Sequence, residues 1–315
     1  MSNKFENINI IDEEIKINDA YNRVIRLFDK HSLKVDDPEF KELYGQEKID
    51  YDKAYIKKNE LRFEESNLPG ENILFKNAAI LEYIVYEQSE LGEWFGKQAL
   101  TFKTTKYDDL LHGVDMAIEF EEPNESFGYL GLAVDISFGD ELSKKFASIK
   151  DNIDSGKLTQ IDYFKSPRTG PKGLKNVPRV VLAVDGKTVS KLIDFWIEKS
   201  QDSKNSLANH PVQIQILTEF QLQLTKFEQY ARHVKKNDEI ADIHAHDLAI
   251  IKKILQEKKK EFPNYTGEMF DAGYDHIQNG LSIFDKEIAD NISSDDLTAR
   301  RKAFFESHRK LSKNM

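Results

Sequence analysis

Two aspartates on alternating stretches carry the most chemical information in the chain. In GVDMAIEF, Val114, Met116, Ile118 and Phe120 alternate with Asp115, Ala117 and Glu119. In YLGLAVDISF, Leu130, Leu132, Val134, Ile136 and Phe138 alternate with Gly131, Ala133, Asp135 and Ser137. The polar EEPNESFG between them, with Pro123 and Gly128, predicts a β-hairpin. Centred on Asn124 and Glu125, that hairpin sets Asp115 opposite Asp135, both on its polar, small-residue side. Like charges directly opposed in a sheet are destabilising, so something cationic is expected between them. A hard divalent cation, Mg²⁺ or Mn²⁺, suits carboxylate oxygens, and phosphate oxygens would complete its shell. The plain alternative is a solvated strand face, or a pair neutralised by a nearby Lys or Arg.

The elements around these strands must position them. Residues 77–96 have a helical apolar period in Ile80, Leu81, Ile84, Val85, Leu91 and Phe95, and a short strand is expected at 100–104. After the hairpin, Leu142, Phe146, Ile149 and Ile153 mark a helix over 140–155, with Gly156 as its stop, and VPRVVLAVD reads as a buried strand. This αβββαβ order, with GVD on the second strand and an acid on the third, resembles the PD-(D/E)XK nuclease superfamily over about residues 77–185. The resemblance implies an α/β fold with a restriction-endonuclease-like core and a mixed sheet. It also implies a Mg²⁺-dependent site in which Asp115 is the first aspartate and Asp135 the second acid.

Glu87 is the best match to the helical glutamate of that family, because it lies nearest the apolar stripe, whereas Glu82, Glu90 and Glu93 point further towards solvent. The lysine of the motif is replaced by Ser137, whose hydroxyl supplies no positive charge. Some superfamily members take that lysine from the following helix. Of Lys144, Lys145 and Lys150 there, Lys145 flanks the apolar stripe and is the candidate. Asp108 and Asp109 either add an acid near the site or simply open the strand.

A second feature agrees with a polyanion partner. Lys165, Arg168, Lys172, Lys175 and Arg179 fall in a stretch without a single acid, much of it the Gly- and Pro-bearing SPRTGPKGLKNVP, which reads as a loop able to hold phosphates. Its alternative is an ordinary surface loop. Asp242 and His246 share a helix face, but two candidate ligands without a third read as a surface pair. Walker A, GxGxxG, HExxH and GxSxG motifs do not occur.

Composition bounds these readings. The chain has 315 residues, no cysteine, 32% charged residues and a net charge of −10. Thiolate chemistry and cysteine metal sites are excluded, and acidity argues against indiscriminate coating of nucleic acid. MSNKFENINIIDEE has no apolar h-region, so a cytoplasmic protein with no membrane segment is expected. A turn at Asn67-Leu68-Pro69-Gly70 divides a helical region, 1–70, from the α/β core, 71–200. QDSKNSLANHP reads as a linker into a helical region, 201–315. The expected function is metal-dependent cleavage of DNA or RNA. Its rival is a degenerate nuclease-like fold that binds nucleic acid or assembles, as a homo-oligomer or with a protein partner, through the C-terminal helices.

Overall fold

A computed structural model describes the backbone of residues 2–66, 71–122, 126–135 and 140–311, and side chains over 14–62, 73, 75–122, 126–132 and 142–291. The turn expected at 67–70, the hairpin tip at 123–125 and Ser137 lie outside the described residues, as does the side chain of Asp135. The chain begins with three helices, α1 (Ser2–His31), α2 (Pro38–Tyr44) and α3 (Gln46–Ser66), followed by α4 (Glu71–Leu91). Strand β1 (Ala99–Lys103), helix α5 (Lys106–His112) and strands β2 (Met116–Glu121) and β3 (Phe127–Asp135) come next, then α6 (Asp140–Asp154). Strands β4 (Thr159–Ser166), β5 (Gly170–Val177) and β6 (Arg179–Ala183) precede α7 (Gly186–Glu198) and α8 (Gln201–Ala208). Three longer helices end the chain: α9 (Val212–Gln229), α10 (Asp238–Glu261) and α11 (Ala272–Leu311).

The fold is α/β, mostly helical, with a mixed four-stranded sheet in the order β1-β2-β3-β6 and a separate two-stranded β4-β5 sheet. β1 to β3 pair antiparallel, and β6 joins β3 in parallel after the α6 crossover. The period-2 pattern makes the two faces unequal. Met116, Ile118, Phe120, Leu130 and Leu132 enter a large core that runs from Ile17 on α1 to Ile288 on α11. On the other face Ala117 and Gly131 are small, and a second layer sits close against them: Ile161, Phe164, Leu174 and Val177 of β4 and β5 pack with Ala117 and Val114. The polar, small-residue side of the hairpin is covered there.

Three expectations need correction. The basic stretch is not a loop, because its apolar residues Ile161, Phe164, Leu174 and Val177 are all buried and pull both of its arms into a β-hairpin. QDSKNSLANHP is not a linker. Ser200 caps α8 by accepting the Ser203 N–H (3.0 Å), and Leu207 is buried, so a polar composition hides a docked helix. The hairpin register is also shifted. Met116 pairs with Leu132, two positions earlier on β3 than a symmetric hairpin gives, and the Asp115 N–H bonds the Leu132 carbonyl (2.8 Å). Asp135 is therefore not directly opposite Asp115 but further along its strand, where it pairs with Ala183 of β6. Diagonal neighbours in a sheet stand roughly 7–8 Å apart rather than about 5 Å.

The far edge of β6 would leave unpaired backbone groups, and α9 satisfies them. The Gln223 side chain donates to the Val181 carbonyl (2.7 Å) and accepts its N–H (2.8 Å), while Glu219 accepts the Ala183 N–H (3.3 Å). α11 starts hard against the end of that strand. A Cβ on Gly273 would stand 2.3 Å from the Ala183 carbonyl oxygen, so only glycine fits. Among the described residues no helix is long and apolar enough to cross a membrane.

Candidate active site

Asp115 is held by its backbone between two strands. Its N–H bonds Leu132 of β3, and its carbonyl accepts the Thr104 N–H (3.2 Å) at the end of β1, while the Thr104 hydroxyl donates to the adjacent Val114 carbonyl (2.5 Å). Just before it, Thr105 caps α5 by accepting the Asp108 N–H (3.2 Å), and Gly113 ends that helix in the left-handed region at φ 62°. At that φ any side chain is strained, and a Cβ there would also meet the Arg179 guanidinium at 2.7 Å and force it to shift. These devices turn the chain sharply between β1 and β2 and bring Asp109 of α5 beside Asp115.

The two acids of α5 do different things. Asp108 is buried and accepts the N–H groups of Asp162 (2.6 Å) and Tyr163 (3.2 Å), tying α5 to β4. Asp109 faces Asp115, and the two carboxyl groups are in hydrogen-bond contact. Burial pushes Asp109 up, but Lys103, Lys106 and the Asp115 hydrogen bond outweigh it and leave the carboxyl below its ordinary value. From α4, Glu82 joins this group. It forms an ion pair with Lys103 of β1, with both side chains nearly enclosed. Burial raises Glu82 to about 7 against the pull of Lys103, and the charges of Asp115 and Asp109 raise it further. Burial works against the Lys103 ammonium, yet Glu82, Asp109 and Asp115 together hold it above the usual lysine value, so it stays charged. The cluster is thus three carboxyls from α4, α5 and the start of β2 around one strand lysine.

Arg179 borders it from β6. Its guanidinium donates to the His112 carbonyl (2.7 Å) and to Ser148 of α6 (3.0 Å), and burial lowers it to about 10 despite the opposing charge of Asp115. Lys106 bonds Asp109 (2.7 Å) from a half-exposed position.

One expected residue lies elsewhere. Glu87 is not part of the cluster, because its carboxylate accepts the Trp196 indole N–H (3.0 Å) on the α7 side of α4. Glu82, expected to point to solvent, is the helical acid beside Asp115. Its signal was available in the neighbours at helical spacing, Ala78, Val85 and Ser89, which are uncharged and make that stripe a packed one. Lys103 carried no motif signal and was missed. Lys145 is half-buried on α6, and Lys150 pairs with Asp154 (3.1 Å) and Glu287 (3.1 Å).

The hairpin cations are mostly engaged by the protein. Lys165 pairs with Glu39 of α2, and Arg168 with Glu121 (3.2 Å). Lys172 donates to the Tyr129 hydroxyl (2.7 Å), while Lys175 is exposed on β5 and Arg179 is the buried strut described above. Asp242 and His246 do not pair. Asp242 binds Arg232 (2.8 Å), and His246 lies between Glu122 (2.9 Å) and Asp247 (3.1 Å), whose contacts raise it to about 9.

Carboxylate oxygen is the right donor type for Mg²⁺ or Mn²⁺, and two carboxyls in contact must share a proton or a cation. Among the described residues no group of three or more His, Asp or Glu is spaced for a metal ion, and the Asp135 side chain is not among them. The pair Asp109 and Asp115 fits the ion in donor chemistry. Compared with family models, curated proteins and solved structures, the chain matches none of them.

Proposed function

We propose that the chain is a metal-dependent phosphodiesterase acting on nucleic acid, built on a PD-(D/E)XK-like core. The convergence of Glu82, Asp109 and Asp115 from α4, α5 and the start of β2 carries this reading, since carboxylate oxygens brought together from three elements are the donor type a hard divalent cation takes. The order α4, β1, β2, β3, α6, β6, with β6 parallel to β3, supports the core assignment. Asp115 and Asp109 would hold Mg²⁺ or Mn²⁺, and Asp135 is the second acid that the resemblance implies.

A bound divalent cation supplies Lewis-acid polarisation of the phosphate and a water of lowered pKa. The chain's own residues do the rest. Thr104 and Leu132 fix the Asp115 backbone from both sides, so the carboxylate needs little reorganisation. Lys106 and Lys103 keep Asp109 ionised and ready to act as a ligand. Lys175 and the ion-paired cations of the β4-β5 hairpin offer exposed or partly exposed charge to the backbone of the nucleic acid.

The test is cleavage of labelled DNA and RNA with Mg²⁺ or Mn²⁺, run beside Asp115→Ala and Asp109→Asn. Cleavage by the wild type that both variants lose supports the reading, and cleavage that both retain overturns it. The competing reading, a non-catalytic fold used for binding or assembly, draws on the ion pairs that already occupy most hairpin cations. It predicts that Mg²⁺ leaves the melting temperature unchanged, whereas the enzyme reading predicts a rise that Asp115→Asn abolishes.

A further inference from the structure

We propose that the cleft between α1 and α7 binds a small aliphatic anion, a carboxylate or phosphate carried on a hydrocarbon body, with Arg23 and Lys199 taking the charged head. The inference does not draw on the phosphodiesterase reading. The cleft has a volume of about 390 Å³, within the ~300–1,000 Å³ of small-molecule sites. Ile15, Ala20 and Ile197 give it aliphatic walls. Arg23 is the residue on which the assignment rests. Its guanidinium lies 4.1 Å from the centre of the Trp196 ring. Trp196 is itself fixed, because its indole N–H donates to Glu87 of α4 (3.0 Å) and its ring meets Tyr83 edge-on at 5.6 Å. This gives Glu87 a positioning role away from the acid cluster. Stacking occupies the face of a guanidinium and leaves the N–H donors at its edge, which match two oxygens of a carboxylate or phosphate. Among the described residues, none takes those donors in a hydrogen bond or ion pair.

Charge and order along the cleft select the ligand. Lys199, exposed just after α7, brings a second cation to the lining. Lys16 is already paired with Asp194, and Asp19 stands exposed one turn before Arg23 without pairing with it. Three cations thus face two acids in a chain of net charge −10. Lys16 meets Asp194 while Arg23 meets Trp196, so residue numbers rise in the same direction along the two helices. Arg23 and Lys199 therefore lie towards one end and Ile15 towards the other, an order that suits an anionic head and an aliphatic tail. A nucleobase or other flat ring is a poorer match. Trp196 is only 4% exposed and carries Arg23 on its face, so the cleft offers no free aromatic surface for stacking.

Calorimetric titration of the full chain with octanoate and with octyl phosphate tests the proposal, beside 1-octanol, inorganic phosphate and adenosine monophosphate. Octanoate or octyl phosphate is expected to bind one per chain, and the tighter of the two identifies the head group. Octanol, which lacks the charge, and inorganic phosphate, which lacks the tail, should bind at least roughly tenfold more weakly. Arg23→Gln should weaken binding by at least about tenfold, and Arg23→Lys should not restore it, because a lysine keeps the charge but loses the flat fork. Ile15 and Lys199 are exposed, so Ile15→Asp and Lys199→Gln leave the core untouched and should each weaken binding even if Arg23→Gln fails to fold. Absence of binding by both amphiphiles overturns the proposal, as does binding that Ile15→Asp and Lys199→Gln both leave unchanged. Octanol bound as tightly as octanoate removes the role of the cations, and adenosine monophosphate bound as tightly removes the aliphatic assignment. Capture by anionic vesicles without binding of either amphiphile would also overturn it, in favour of a membrane surface. None of these results bears on cleavage of nucleic acid, so the two readings stand or fall separately.

Discussion

Asp115 and Glu119 flank the same short stretch of β2, and their carboxylates are treated in opposite ways. Glu119 is fully buried beneath the β4-β5 hairpin, where it accepts both contacts of the Ser166 hydroxyl (3.0 and 3.1 Å) and the Thr169 hydroxyl (3.2 Å), with Arg168 at 3.9 Å. Every partner there is a donor or a cation, so the buried charge is satisfied and the hairpin is pinned to the sheet. Asp115 instead meets another carboxyl, Asp109, and shares its lysine with Glu82. A carboxylate met only by donors and a cation locks two layers together, whereas Asp115 lies among other carboxyls as well as cations. Burial alone does not separate the two; the identity of the neighbours does.

The largest effect that would break this contrast is catalytic. Asp115→Ala should lower the cleavage rate by ~10³-fold or more. A variant that keeps its rate would place Asp115 in the same category as Glu119. The next test inverts the assay. Glu119→Ala strands the Ser166 and Thr169 hydroxyls and should cost about 3 kcal/mol of unfolding free energy, with specific activity of the folded fraction retained.

pH separates the two regions further. Glu82 is raised by burial from its ordinary 4.5 to about 7, so the folded chain binds its proton more tightly than the unfolded one. Stability from this group is full below its ordinary value and declines as pH rises towards about 7. In the presence of a chelator, unfolding free energy should fall by about 2 kcal/mol across that window, and Glu82→Gln should flatten the slope. An unchanged slope in Glu82→Gln would remove this group from the account. The smallest effect is expected on the hairpin surface: Lys175→Ala should leave the melting temperature unchanged and weaken nucleic-acid binding only a few-fold, with a slightly shallower salt dependence.

Strands β1 to β3, the α6 helix and the buried strand β6 were legible because alternating, helical and continuous apolar patterns report directly on which faces are buried. The register was not. A one-sided apolar pattern fixes parity, and a shift by two residues keeps parity while moving Asp135 off Asp115. The choice of Glu87 over Glu82 failed for a related reason: the 100° count took the helix to have one buried side, whereas α4 is covered by α1, α7, α8 and the sheet. The second arm of the basic stretch looked like an open loop because Gly170, Pro171 and Gly173 fall on β5 itself and leave only Leu174 and Val177 as buried apolar residues there.

What the sequence by itself determined is the chemistry that is open to this protein: no thiolate, oxygen donors for any metal, an α/β core bracketed by helices, and Asp115 at the entrance to a strand. Those follow from residue type and local periodicity. Only the tertiary structure decided which acids meet, because Glu82, Lys103, Asp109 and Asp115 come from a helix, a strand, a second helix and a turn whose approach depends on register, caps and a glycine at 113. Charges act through distance in space, and sequence separation carries no information about it until the layers have packed.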